Sequence, residues 1–314
     1  MDPRRPAADS AADRWAPVVV GRPVAEFAPA PPGPWLHHTD VLGGYRPDTV
    51  CDGWSTGALT VRLASVRGYS HRYERTPRQD DAVVVAHPPT GAVAFAVADG
   101  VSGAAQSHLG ATLACQLAVA GVLDALDDGR PIDWPTLFAG TGHQLVAYAQ
   151  DLLGLSAPEP AQAIALLATA LVAGVVHPPG QLGDGATAAL ARIGDSGGWL
   201  LGAGTFHDAF GADGDAAAAE PVRTSAVLAL PSAAADVAPA VRDFPVPPDA
   251  VLLVGTDGFG VPLGKGSGLV GHLFAGTLAR RPTALELAHT LDFSRETFDD
   301  DRTLLAIWPD PEPR

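Results

Sequence analysis

The sequence of 314 residues carries 35 acidic and 20 basic side chains, a formal net charge of −15. That balance repels phosphate backbones and anionic lipid, so nucleic acid and membrane are set aside as partners, and a site that gathers cations is favoured. Hydrophobic residues make up 47% of the chain, enough for a sizeable core in one large domain or two small ones, and 35 glycines and 29 prolines call for many turns.

The first stretch, MDPRRPAADSAADRW, lacks the apolar segment of a signal peptide. The longest apolar run, Ala161 to Val176, is short of a membrane span, so a cytoplasmic protein is expected. Residues 1–57, with APAPPGP near their centre, read as a Pro/Ala/Gly-rich extension with little regular structure, whose removal would leave the core folded. Residues 58–309 read as the domain and 310–314 as a tail.

From Leu59, LTVRLASV alternates as a strand does, and GYSHRYERTPRQ is polar and loop-like. DAVVVAH and AVAFAVAD follow as two strands joined by PPTG. AAQSHLGATLACQLAVAGVLDAL has helical spacing and places Cys115 as a buried, inert thiol; Cys51 and Cys115 have no zinc-site spacing. A second helix, DWPTLFAGTGHQLVAYAQDLL, has Asp133 as N-cap and Pro135 in its first turn. The segment from AIALL through GDSGGWLL returns to strands, and residues 203–223 read as a mobile insertion. PPDAVLLVGTDGFG is an apolar strand ending in Asp-Gly, PTALELAHTL is a helix, and RTLLAIW is the last strand. Strands segregated from helices predict an α+β fold with largely antiparallel sheets.

Carboxylates recur at the strand ends: Asp80 and Asp81, Asp99, Asp195, Asp257, and the run Asp299, Asp300, Asp301. Alone, each Asp-Gly reads as a turn and the triple Asp as a solvated loop. Gathered together, such groups repel and resist ionising in a buried site. A hard divalent cation such as Mg²⁺ or Mn²⁺ reverses that balance, because it takes carboxylate and carbonyl oxygens. Two such ions about 3.5–4 Å apart activate a water toward phosphorus. A guanidinium would grip the phosphate, and Arg72, Arg75 and Arg78 all precede Asp80.

The ordered motifs RTPRQDDA, VADGVSG, RIGDSGGWLL, VGTDGFG and DDRTLLAIW give the chain a resemblance, over roughly residues 59–309, to the bacterial branch of the metal-dependent Ser/Thr protein phosphatases of the PP2C (PPM) type. The resemblance implies a four-layer α/β/β/α sandwich with two central antiparallel sheets and two Mg²⁺ or Mn²⁺ ions at one end. It implies that Asp99 bridges both metals, Gly100 adds its carbonyl, Asp257 and Asp300 complete one shell, and Asp80 holds a metal-bound water. Arg75 would grip the substrate phosphate, and Asp195 would serve a third ion. Asp300 is preferred to its neighbours for its Asp-x-x-Thr spacing to Thr303.

The sequence departs from the family where Asp99-Gly100-Val101-Ser102-Gly103 lacks the His that follows Asp-Gly in many members, and where Ala168-Thr169-Ala170 replaces a Gly-Thr-Thr triplet. The activity implied is hydrolysis of phosphoserine or phosphothreonine in proteins, the targets of Ser/Thr kinases, by a metal-bridging hydroxide. A PP2C-like regulatory module without turnover is the alternative, and a hydrolase of small phosphorylated metabolites is a third reading.

Overall fold

In AVAFAVADG the large and small side chains alternate, and the fold uses both faces. Val93, Phe95 and Val97 enter a core between two sheets, whereas Ala92, Ala94, Ala96 and Ala98 face a layer of helices. The computed structural model describes residues 15–28, 30, 46–180, 185–211, 228–231 and 238–310.

The chain begins with β1 (Thr49–Ser55), β2 (Leu59–Val66), α1 (Tyr69–Glu74), β3 (Asp81–His87) and β4 (Ala92–Gly100). Three helices follow: α2 (Ser107–Asp127), α3 (Trp134–Leu153) and α4 (Pro160–Leu167). Next come β5 (Thr169–His177), β6 (Ala186–Ile193), β7 (Gly197–Gly202), β8 (Thr205–Asp208), β9 (Ala240–Val246) and β10 (Ala250–Gly255). The chain closes with α5 (Asp257–Leu263), α6 (Leu269–Leu278), α7 (Ala284–Leu291) and β11 (Arg302–Pro309).

The strands form two antiparallel sheets, ordered β1-β2-β11-β10-β7-β8 and β3-β4-β5-β6-β9. Leu63, Val97, Val172, Leu252 and Leu305 meet between them. On the outside of the five-stranded sheet, Leu109, Val122, Phe138 and Leu145 from α2 and α3 cover the alanine face of β4. On the outside of the six-stranded sheet, Leu253, Leu304 and Trp308 pack under α5, α6 and α7. Trp199, Phe259, Phe274 and Phe293 stack edge to face there, with centroids 5.4, 5.0 and 6.0 Å apart in turn. The result is the expected α+β sandwich of four layers, α/β/β/α.

Several elements depart from the sequence reading. Ala163 to Leu167 belong to α4 and not to a strand, because their apolar side chains serve one buried helical face as readily as a sheet. The polar GYSHRYE segment holds α1, and two helices unread in the sequence, α5 and α6, follow Thr256. Asp133 caps α3 through Thr136 N, at 3.2 Å, with Pro135 in the first turn as expected. The helix of PTALELAHTL opens with a Thr283–Glu286 capping box. Cys115 is fully buried, and burial raises its thiol well above the ordinary range. α2 is long and apolar enough by length and composition to cross a membrane, yet its apolar residues pack onto β4 and β5.

The segment expected to be an irregular extension holds β1, paired over seven residues with β2 from Thr49↔Val66 to Ser55↔Thr60. Further upstream, Val20 is buried, and Val20 N and Ser294 N exchange bonds with the opposing backbone at 3.0 and 2.8 Å. Phe27 lies edge-on to Tyr69 and Tyr73 of α1. Residues 31–45, most of the 203–223 insertion and the last four residues lie outside the described residues.

Deleting residues 1–57 is therefore expected to expose β2 as an unprotected edge and to lower the melting temperature by more than about 5 °C, since 1 kcal/mol shifts a chain of this size by about 2–4 °C. Thermal denaturation of the truncated and full chains checks this.

Candidate metal centre

The antiparallel pairing puts the end of β4 beside the start of β3, and the end of β10 beside the start of β11. Asp99 closes β4, Asp80 precedes β3, Asp257 opens α5 after β10, and Asp300 precedes β11. Both sheets thus deliver carboxylates to one end of the sandwich.

Asp80 joins the two sheets. Its Oδ2 accepts the Thr256 hydroxyl at 2.7 Å and the Thr303 hydroxyl at 2.9 Å. Arg78 and Arg46 each donate to its main-chain oxygen at 2.6 Å. Arg78 also donates to Ser65 Oγ, which pairs with Thr303 Oγ1 at 2.7 Å. Burial and the charges of Asp301 and Asp300 raise the Asp80 carboxyl well above the ordinary range, against the pull of the two threonines.

Asp99 feels the same site from the other side. Burial raises its carboxyl well above the ordinary range, and Asp80, Asp257 and Asp300 add to the shift. The Asp99 carbonyl accepts the Thr169 hydroxyl at 2.8 Å, fixing the end of the strand. Burial, Asp301 and Asp257 raise Asp300 to about 6. Asp195, in the turn between β6 and β7, is raised by burial and by Asp257. Asp99 is thus coupled electrostatically to Asp80, Asp257 and Asp300, and Asp195 is coupled to Asp257.

Glycine is required where these segments touch. A Cβ at Gly258 would lie 1.9 Å from the Asp301 carbonyl oxygen, so an Asp-Gly pair is what lets α5 start against the β11 loop. At Gly100 a Cβ would lie 2.9 Å from both the Gln79 carbonyl oxygen and Ser107 Oγ. The space beside Gly100 is closed to a side chain.

The three neighbouring aspartates divide their work. Asp301 is buried, and its Oδ1 and Oδ2 accept Gly68 N and Gln79 N at 2.6 and 2.5 Å. Burial would raise its carboxyl, but His71 and those two amides outweigh burial and hold it below the ordinary range. Asp299 is exposed and offers its carbonyl to Ser70. Asp300, with half its side chain exposed, is the one that feels Asp257 and also weighs on Asp99.

Of the three arginines that competed for a phosphate, Arg72 pairs with Asp292 at 3.0 Å and Arg78 is buried in the Asp80 network. Arg75 is exposed, sits at the end of α1 with φ 67°, and engages no hydrogen-bond or ion-pair partner among the described residues. His71, Thr256, Thr303 and Asp301 were not singled out for the site in the sequence. Thr256 and Thr303 lie inside the quoted motifs VGTDGFG and DDRTLLAIW, but His71 lies in a polar segment with no periodic signal.

The oxygen-rich donor set fits a hard divalent cation. Among the described residues no arginine or lysine pairs with the carboxylate of Asp80, Asp99, Asp257 or Asp300, and His71, 4.0 Å from Asp300 Oδ1, is the one basic side chain paired with any of them.

With this geometry in place, comparison with known proteins gives the class. The Protein phosphatase 2C family profile matches residues 67–292, and the chain belongs to that family. No curated protein matches the sequence. A serine/threonine phosphatase of S. agalactiae aligns with 80% of this chain and 100% of its own, at 15% identity and a TM-score of 0.53. PppA, a regulatory component of the T6SS in Pseudomonas aeruginosa, aligns with 82% of this chain and 100% of its own, at 16% identity and a TM-score of 0.52. A bacterial serine phosphatase aligns with 80% of this chain and 97% of its own, at 12% identity and a TM-score of 0.54. At these identities the likeness is one of fold.

A carboxyl raised from 3.8 to about 6 in the folded chain favours folding while it keeps its proton, and that contribution is lost as pH rises through about 6. A divalent cation offsets the loss. The gain in melting temperature on adding Mn²⁺ is therefore expected to be small at pH 5 and to grow toward pH 7, and Asp300→Asn should flatten the rise. Thermal scans with Mn²⁺ and with EDTA across that range measure it.

Proposed function

We propose that the protein is a metal-dependent phosphatase that removes phosphate from phosphoserine and phosphothreonine in proteins modified by Ser/Thr kinases. What supports this reading is the electrostatic coupling of Asp99 to Asp80, Asp257 and Asp300, which come from separate segments of a protein phosphatase 2C fold.

Asp99, Asp257 and Asp300 would hold two Mg²⁺ or Mn²⁺ ions with the Gly100 carbonyl, and Asp195 would serve a third. When bound, the ions supply Lewis-acid activation of water and neutralise the phosphoryl oxygens. Asp80, with Oδ2 committed to Thr256 and Thr303, keeps Oδ1 to orient water. Arg75, unpaired among the described residues, would grip the phosphate as a two-pronged donor. Val101 stands where many relatives carry a histidine, so the leaving alkoxide takes its proton from water.

Purified protein is expected to hydrolyse a phosphothreonine peptide in Mn²⁺ or Mg²⁺, to stop in EDTA, and to prefer the peptide to a small phosphate ester. Asp99→Asn and Asp257→Asn should each lower kcat/KM by more than about a hundredfold, beyond the 10–100-fold carried by outer partners of metal ligands. In EDTA the Asp99→Asn protein should melt no lower than the parent, because a buried charge has been removed. Full activity in Asp99→Asn would overturn the site. Metal binding without turnover would instead favour a regulatory module.

A further inference from the structure

His71 is buried to 6% exposure and has no part in the roles assigned above. Its Nδ1 stands 2.9 Å from Asp301 Oδ1 and 4.0 Å from Asp300 Oδ1. One donor atom from each of the three residues lies within 4.8 Å of the other two. The 2.9 Å contact sets the ring against the Asp301 carboxylate as an ion pair, and Nδ1 makes no aligned hydrogen bond among the described residues. A buried ring nitrogen without an aligned hydrogen bond gains from a better-placed partner.

A coordinated cation is such a partner. With bonds of about 2.0–2.2 Å, adjacent donors of an octahedral shell stand about 3 Å apart and opposite donors about 4.2 Å apart. The two separations from Nδ1 match one adjacent and one opposite pair. The backbone holds them in place. A Cβ at Gly68 would fall 2.2 Å from the Asp300 carbonyl carbon, and Ser70 N donates to Asp299 O at 2.9 Å. The helix that carries His71 is thus docked on the aspartate loop. Each Asp301 oxygen accepts one backbone amide and retains a second lone pair.

We propose that His71 Nδ1, Asp300 and Asp301 form a mixed nitrogen and oxygen site for a divalent cation, and that the imidazole biases it toward Mn²⁺ over Mg²⁺. Mg²⁺ suits carboxylates, carbonyls and water, whereas imidazole is a ligand for transition ions. The inference shares Asp300 with the phosphatase reading and rests on it only to that extent.

Pulsed EPR of the full chain loaded with Mn²⁺ alone tests it. Modulation from a directly bound ¹⁴N is expected, and it should change to the ¹⁵N pattern when the protein is made with ¹⁵N-histidine. It should vanish in His71→Ala, while Mn²⁺ remains bound at Asp99 and Asp257, and the ratio of Mg²⁺ to Mn²⁺ dissociation constants should fall about tenfold. The labelled parent protein gives its answer even if the variant does not fold. Bound Mn²⁺ without nitrogen modulation, or modulation that survives in a folded His71→Ala, overturns the His71 site and leaves the phosphatase reading standing. Failure to bind Mn²⁺ at all overturns both.

Discussion

One carboxylate oxygen, Asp80 Oδ2, accepts hydrogen bonds from the Thr256 and Thr303 hydroxyls, and through it the ends of the two sheets are fixed to each other. Asp80 leads into β3 of one sheet, whereas Thr256 follows β10 and Thr303 lies in β11 of the other. A buried carboxylate is costly, and the two hydroxyls answer only part of that cost. The arginines bind its main-chain oxygen and not its carboxylate, so they fix its position without cancelling its charge. The same node that closes the sandwich therefore leaves uncompensated negative charge where the other aspartates arrive.

How far the sequence announced this depends on the element. Alternation made β2 readable, the PPTG connection marked β3 and β4, and an Asp cap marked α3. Elements whose burial is uneven were not readable. β1 buries no residue fully, because an edge strand needs only its backbone partner, and it lay hidden after a proline-rich stretch. α1 has six residues and one buried side chain, too few to show a period. The candidate acids could be picked out because each follows or precedes an apolar strand. His71 could not, since its meaning depends on Gly68 docking against Asp299 and Asp300, a contact between segments more than 200 positions apart.

The family profile and the distant structural likenesses are consistent with that division. At 12–16% identity the two-sheet arrangement persists while most side chains differ. The positions that tolerate no substitution on steric grounds include Gly258, whose missing side chain leaves room for the Asp301 carbonyl. Such sites are constrained by backbone proximity, and their neighbours supply the chemistry.

The alanine face of β4 has a consequence at some remove from itself. Small residues at 92, 94, 96 and 98 set how near α2 can settle, and α2 presents Thr112 and Cys115 to Asp81. Thr112 also receives Arg46, which holds the oxygen of Asp80. A methyl group added on that outer face would push the helix, and the displacement would pass through Asp81 and Arg46 to the acidic cluster. The spacing of the reactive groups is thus inherited in part from side chains that point away from them.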